Sequence, residues 1–234
     1  MKILLCISLL AVSCLCGCGQ KEKVSFSETY DTESISSINM QIDSWQLKIM
    51  DSTDDNFHVS LDGGTAKGSK TPSADIQNGV LDIVQTDSKE SAVNQFSLGK
   101  EGEVTVYIPD TLKETVTIKN GSGDMEIDSL VVSKLTIDNS SGYADLNNVT
   151  AEALEITSSS GDVKLSNGNI EDFQIGTLSG YITLKSTEAK NISIATKSGE
   201  VNISGLREQT NAGISTGSRD IGISYETQPQ NLSF

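Results

Sequence analysis

Leu154-Glu155-Ile156-Thr157-Ser158-Ser159-Ser160-Gly161-Asp162-Val163-Lys164-Leu165 decides the fold. Apolar residues alternate on both sides of a Ser-Gly pair, which is the period of a strand rather than of a helix. The inward parity shifts between the two runs, as it does at a bulged corner. Around this stretch the glycine recurs at Gly123, Gly142, Gly161, Gly180 and Gly199, always 19 residues apart, and a sixth copy follows one residue late at Ser218-Arg219. Five residues before the corner stand Ile118, Ile137, Ile156, Ile175, Ile194 and Ile214, without exception isoleucine. Glycine at the corner is expected to supply a backbone conformation that a side chain penalises.

Other columns agree. Met125, Ala144, Val163, Ile182, Val201 and Ile221 stand two residues after the corner, and Ile127, Leu146, Leu165, Leu184, Ile203 and Ile223 stand four after it. A weaker third side is marked by Leu130, Val149 and Leu206 and by Val132, Ala151 and Ile170. Three sides in 19 residues predict an all-β fold, a parallel β-solenoid of small triangular section. Six copies at the usual strand spacing stack to roughly 29 Å. Asn120, Asn139, Ser158, Thr177, Thr196 and Thr216 form one polar ladder at the corner, and Ser122, Ser141, Ser160, Ser179, Ser198 and Ser218 form another. Such side chains bond the backbone groups a turn leaves unpaired. Loss of pattern at Glu208, Gln209 and Arg219, with Pro229 beyond, predicts a terminal cap that discourages edge pairing.

Working outward, residues 38–110 also alternate: Ile38, Met40, Ile42; Trp45, Leu47, Ile49; Phe57, Val59, Leu61; and Val104, Val106, Ile108 before Pro109. They are expected to form an irregular N-terminal β region, continuous with the regular repeats of 111–226 and capping them. Residues 227–234 remain as a tail. Residues 18–37 are polar, with Lys21, Glu22, Lys23, Glu28, Asp31 and Glu33, and are expected to be a flexible tether.

Residues 1–17 carry Lys2, an apolar run from Ile3 to Leu15 that is too short to span a bilayer, and then Leu15-Cys16-Gly17-Cys18. This reads as a signal peptide, and the last four residues resemble the bacterial lipobox, which makes Cys18 the lipidated N-terminus. Cys14 is a poorer acceptor. The other cysteines, Cys6, Cys14 and Cys16, also lie in this leader, so the exported chain is expected to contain no internal disulfide. The protein is therefore expected outside the cytoplasm, held at the membrane by its lipid.

Composition narrows the function. A net charge of -15 argues against nucleic acid as a partner. With 36% hydrophobic and 5% aromatic residues the core must be narrow and aliphatic, which suits a solenoid.

Val104-Thr105-Val106-Tyr107-Ile108-Pro109, followed by repeats such as Ser160-Gly161-Asp162-Val163-Lys164-Leu165, resembles a bacterial adhesin-type family of unknown function whose members are often lipoproteins. The resemblance runs from about Ile38 to Tyr225. It implies a β-solenoid and a surface role, and no catalytic residues.

The single histidine, His58, lies in an alternating strand and reads as a solvent-facing structural residue. Calcium-binding nine-residue repeats and EF-hand loops are absent, so neither a metal nor a cofactor is expected. Outward charges such as Glu126, Asp145 and Lys164 fall on successive coils as a ladder and do not converge into an acid and base pair, which argues against a polysaccharide-active enzyme. The one irregular stripe follows the corner glycine: Asp124, Tyr143, Asp162, Tyr181 and Glu200, with Asp220 in the last copy. Rings against sugar faces and carboxylates on hydroxyls could hold a glycan there, although Asp and Tyr are also ordinary turn and exposed strand residues. The expectation is a non-catalytic, envelope-anchored binding or scaffolding module for a cell-wall glycan or an envelope protein. An accessory subunit of a membrane stress-sensing system is the alternative.

Overall fold

In the computed structural model, which describes residues 21–66, 71–86, 102–110, 115–206 and 211–225, the isoleucine column becomes the inner wall of one side of a solenoid. Ile118, Ile137, Ile156, Ile175 and Ile194 are buried on five successive coils. The strands that carry them are β8 (Thr115–Asn120), the second half of β9 (Met125–Asn139), the second half of β10 (Ala144–Ser158), β12 (Asn169–Thr177) and β14 (Glu188–Thr196), and β16 (Asn211–Thr216) extends this side. They pair in parallel with a register of 19, as in Ile118↔Ile137 and Ile156↔Ile175, until β16, which pairs one residue later as Ile194↔Ile214.

Past the corner, the first halves of β9 and β10 continue into a second side with β11 (Val163–Ser166), β13 (Ile182–Lys185), β15 (Val201–Leu206) and β17 (Ile221–Tyr225). The third side is short, with Val149↔Leu130 and Ala151↔Val132 paired and buried. The expected parallel solenoid of about six turns is therefore the fold.

Corner chemistry differs from expectation in one respect. None of the repeat's corner glycines has a positive φ. A Cβ at Gly161 would instead sit 2.1 Å from the Gly142 carbonyl oxygen, and one at Gly142 would sit 1.9 Å from that of Gly123. Glycine is required because successive backbones touch. The left-handed residues lie six positions after it: Ser129, Asn148, Asn167, Ser186 and Gly205, with φ between 48° and 77°. Asn and Gly are the residues that tolerate this region best.

The two polar ladders also divide. The inner one is buried and seals the corner, since Asn120 Nδ2 donates to the Gly123 carbonyl at 2.6 Å and to Asn139 Oδ1 at 2.8 Å. Asn139 Nδ2 donates to the Gly142 carbonyl at 2.6 Å and Ser158 Oγ to that of Gly161 at 2.9 Å. The serines beside the glycines are exposed, and their backbone N–H groups make the coil contacts, as Ser141 N does to the Gly121 carbonyl at 2.9 Å.

The N-terminal region joins the solenoid out of sequence order. Strands β2 (Ser37–Ile42) and β3 (Gln46–Asp51) form one coil. Strands β6 (Val80–Gln85) and β7 (Gly102–Ile108) lie outside it, while β8 and β9 stack on its other side. Trp45 stands where the repeats have glycine, and buried Gln85 seals this corner by accepting the N–H groups of Asp43, Ser44 and Trp45 on Oε1 at 2.9, 3.1 and 3.3 Å. The far end turns antiparallel: β5 (Ser73–Gln77) on β6, β4 (Asn56–Ala66) on β7, and β1 (Lys21–Asp31) on β4.

Strand β1 corrects the expectation of a flexible tether over 18–37. Its pairing runs from Lys21↔Ala66 to Asp31↔Asn56, and Val24, Phe26 and Tyr30 turn inward. Tyr30 is buried, and its hydroxyl donates to the Ala74 carbonyl at 2.8 Å. An edge strand needs only one covered face, so charged residues on the other hide it from a hydropathy reading. The leader, Cys18 and residues 227–234 lie outside the described residues, as do Glu208, Gln209 and Pro229 of the expected cap.

Candidate functional site

The stripe is assembled by the corner. Asp124, Tyr143, Asp162, Tyr181 and Glu200 follow successive corner glycines, and their carbonyls form a continuous ladder: Met125 N donates to Tyr143 O at 2.8 Å, Ala144 N to Asp162 O at 3.0 Å and Val163 N to Tyr181 O at 2.8 Å. The five residues therefore stand one above another at the strand spacing of about 4.8 Å.

Their side chains divide into two roles. Asp124 Oδ1 accepts from the backbone N–H of Tyr143 at 3.1 Å, and Asp162 Oδ1 from that of Tyr181 at 2.8 Å. Each acid thus stitches its coil to the next, a structural duty that accounts for it without a ligand. Glu200 accepts from Asn202 Nδ2 at 2.7 Å. The tyrosine rings are left out in solvent, Tyr143 40% and Tyr181 48% exposed, two coils or about 9.6 Å apart. Leu178, before the same corner as Tyr181, is 56% exposed. In the sequence its only signal is that it is the one large apolar residue in a column otherwise made of Gly121, Ser140, Ser159, Lys197 and Gly217. Partial burial raises the Tyr143 phenol above its ordinary value, and the carboxylates of Asp145, Asp162 and Asp124 add to this against Lys164. The phenol therefore stays a neutral hydrogen-bonding group at neutral pH.

Several outward lysines are each paired with one carboxylate along the ladder. Lys164 Nζ lies 2.8 Å from Asp145 Oδ2 one coil away, Lys190 Nζ 2.8 Å from Glu171 Oε1 and Lys48 Nζ 3.0 Å from Glu103 Oε2. The bond to Asp145 holds the Lys164 ammonium above its usual range.

His58 links two strands: Nε2 lies 2.8 Å from Asp54 Oδ1 and Nδ1 lies 3.0 Å from Thr29 Oγ1 on β1, with the Tyr107 ring edge-on at 6.3 Å. Its hydrogen bond lowers the Asp54 carboxyl below the usual range. Among the described residues no group of three or more His, Cys, Asp or Glu side chains could hold a metal ion.

A shallow polar groove, unforeseen because residues far apart in sequence line it, runs over the outer faces of β6, β2 and β8 past Ser36, Asn39, Asn78, Asp82 and Thr117. Its polar groups largely satisfy one another: Asn39 Nδ2 donates to Asp82 Oδ1 at 2.8 Å and Ser36 Oγ to the Gly79 carbonyl at 3.1 Å. The exposed rings remain the better candidate.

The stacked coils place the chain among the parallel β-solenoid repeat proteins. Residues 35–234 match the Toastrack DUF4097 family, and the chain belongs to it. Solved structures match most of the chain. A "putative adhesin" from Bacteroides fragilis is 17% identical with a TM-score of 0.51, covering 86% of this chain and 97% of its own. A "putative cell adhesion protein" from Clostridium sporogenes is 14% identical with a TM-score of 0.47, covering 86% and 98%. A "putative lipid binding protein" from Parabacteroides distasonis is 17% identical with a TM-score of 0.47, covering 86% and 95%. No curated protein matches the chain.

Proposed function

We propose that the chain is a non-catalytic binding module of the bacterial surface, anchored through a lipid on Cys18, that holds a linear glycan along the ridge of Tyr143 and Tyr181. The observation that carries this reading is the pair of exposed rings at one offset two coils apart, with Leu178 beside the second. Aromatic rings present apolar faces to sugar C–H groups and phenols to hydroxyls. A polymer lying along the solenoid axis meets both rings with one orientation. The adhesin name of a protein with the same fold agrees with a surface role.

The test is binding of the chain to isolated cell wall. Tyr143→Ala with Tyr181→Ala is expected to lower affinity at least tenfold, the equivalent of about 1.4 kcal/mol, with the thermal midpoint unchanged because both rings are largely outside the core. Affinity equal to that of the unaltered chain overturns the glycan ridge.

A further inference from the structure

The two ends of the solenoid differ. At the N-terminal end the inner residues Leu81, Ile83, Val104 and Val106 are fully buried beneath antiparallel strands. At the other end Ile221 is 39% and Ile223 37% exposed, whereas Ile203 one coil earlier is 4% exposed. Strands β16 and β17 pair only with β14 and β15 among the described residues. The expected cap therefore does not cover this coil within the described residues, and exposed Arg219 stands at its corner.

We propose that this open tip is a docking surface for the tip of a second copy of the chain. Strand β16 runs toward the corner and β17 away from it. A twofold axis through the corner between Ser218 and Arg219, perpendicular to the solenoid, therefore lays β16 of each copy antiparallel on β17 of the other. Such an isologous contact closes on itself and pairs the free edges of both β16 and β17. The axis fixes the register: Thr216 faces Ile221 of the second copy, and Ile214 faces its Ile223. The exposed isoleucines of each copy thereby gain apolar neighbours, and both edges gain backbone partners.

Charge favours this occupant. Over residues 211–225 the only charged side chains are Arg219 and Asp220, which cancel, although the chain as a whole carries -15. Residues 211–225 of two tips therefore meet without net charge of their own to repel each other. The contact also has a polarity. From β1 the second side runs through β4, β7, β3, β9, β10, β11, β13 and β15 to β17, so the N-terminal strand and the tip lie at opposite ends of the column, nine strand spacings or about 43 Å apart. Joining tips points the two N-terminal ends in opposite directions, the geometry of a link between two apposed surfaces.

The test uses the full chain purified in detergent. Outward-facing Ser215 and Gly222 stand opposite each other in the proposed register, and a Cβ at Gly222 meets the movable Asn202 Oδ1 at 2.9 Å and no backbone atom closer than the Val201 carbonyl at 4.0 Å. Ser215→Cys and Gly222→Cys are placed on separately tagged chains, which are mixed and oxidised. A disulfide-linked heterodimer carrying both tags is expected. Each single variant alone should give at least tenfold less dimer, and Ile223→Lys on both chains should abolish the product. Absence of the heterodimer overturns the proposal, as do equal yields from the single variants or a heterodimer indifferent to Ile223→Lys. A monomeric chain whose tip is covered by residues 226–234 is one way for the first of these to occur.

Discussion

Gly161→Ala is expected to be among the most damaging single changes in the chain, costing more than about 4 kcal/mol, where ordinary substitutions cost about 1. The added Cβ would lie 2.1 Å from the Gly142 carbonyl oxygen and 2.6 Å from Asn139 Nδ2. Neither can retreat, because Asn139 Nδ2 is buried and already holds that carbonyl at 2.6 Å. Relief requires moving two coils apart, and this breaks ladder bonds on both sides of the corner. The matched control is Gly176→Ala, whose Cβ meets nothing closer than the Ala195 carbonyl at 4.0 Å and which should change stability by less than about 0.5 kcal/mol. Urea denaturation of both variants checks the pair. Equal, small losses would sink the claim that close backbone approach selects the corner glycine.

Ile156→Ala should cost roughly 2 to 5 kcal/mol, as truncation of a buried isoleucine does when its surroundings cannot collapse. Ile156 is fully enclosed, paired in register with Ile137 below and Ile175 above. Neighbouring coils hold the wall in place, so the cavity persists and its cost adds to the lost transfer free energy. A loss below about 0.5 kcal/mol would mean that the isoleucine column is not the inner wall.

How far the sequence carried these conclusions depended on whether a residue's role recurs. The isoleucine column was legible because burial imposes the same demand on every coil, and the demand was met by the same residue each time. The corner glycine is legible too, but its reason is not, since a positive φ and a close approach between coils leave the same mark in a sequence. The left-handed position leaves no such mark because Ser129, Asn148, Asn167, Ser186 and Gly205 share a tolerance rather than an identity. Strand β1 escaped because Val24, Phe26 and Tyr30 are few and interleaved with charge. In the ridge, Tyr143 and Tyr181 were found, while the bonds of Asp124 and Asp162 to the next coil's backbone needed coordinates.

Placement of β2 between β6 and β8, and of β3 between β7 and β9, is beyond any sequence pattern, and it bears on how the chain can be divided. A linear repeat array loses coils one at a time, each deletion removing one nearest-neighbour interface. Here the coil at residues 37–51 is completed on one face by residues 80–85 and 102–108 and on the other by 115–128, so three distant stretches must close on it together. The N-terminal region and the repeats therefore form one cooperative unit. Trimming the chain at residue 110 would yield two fragments, each lacking half of a shared layer, rather than a cap and a free-standing array.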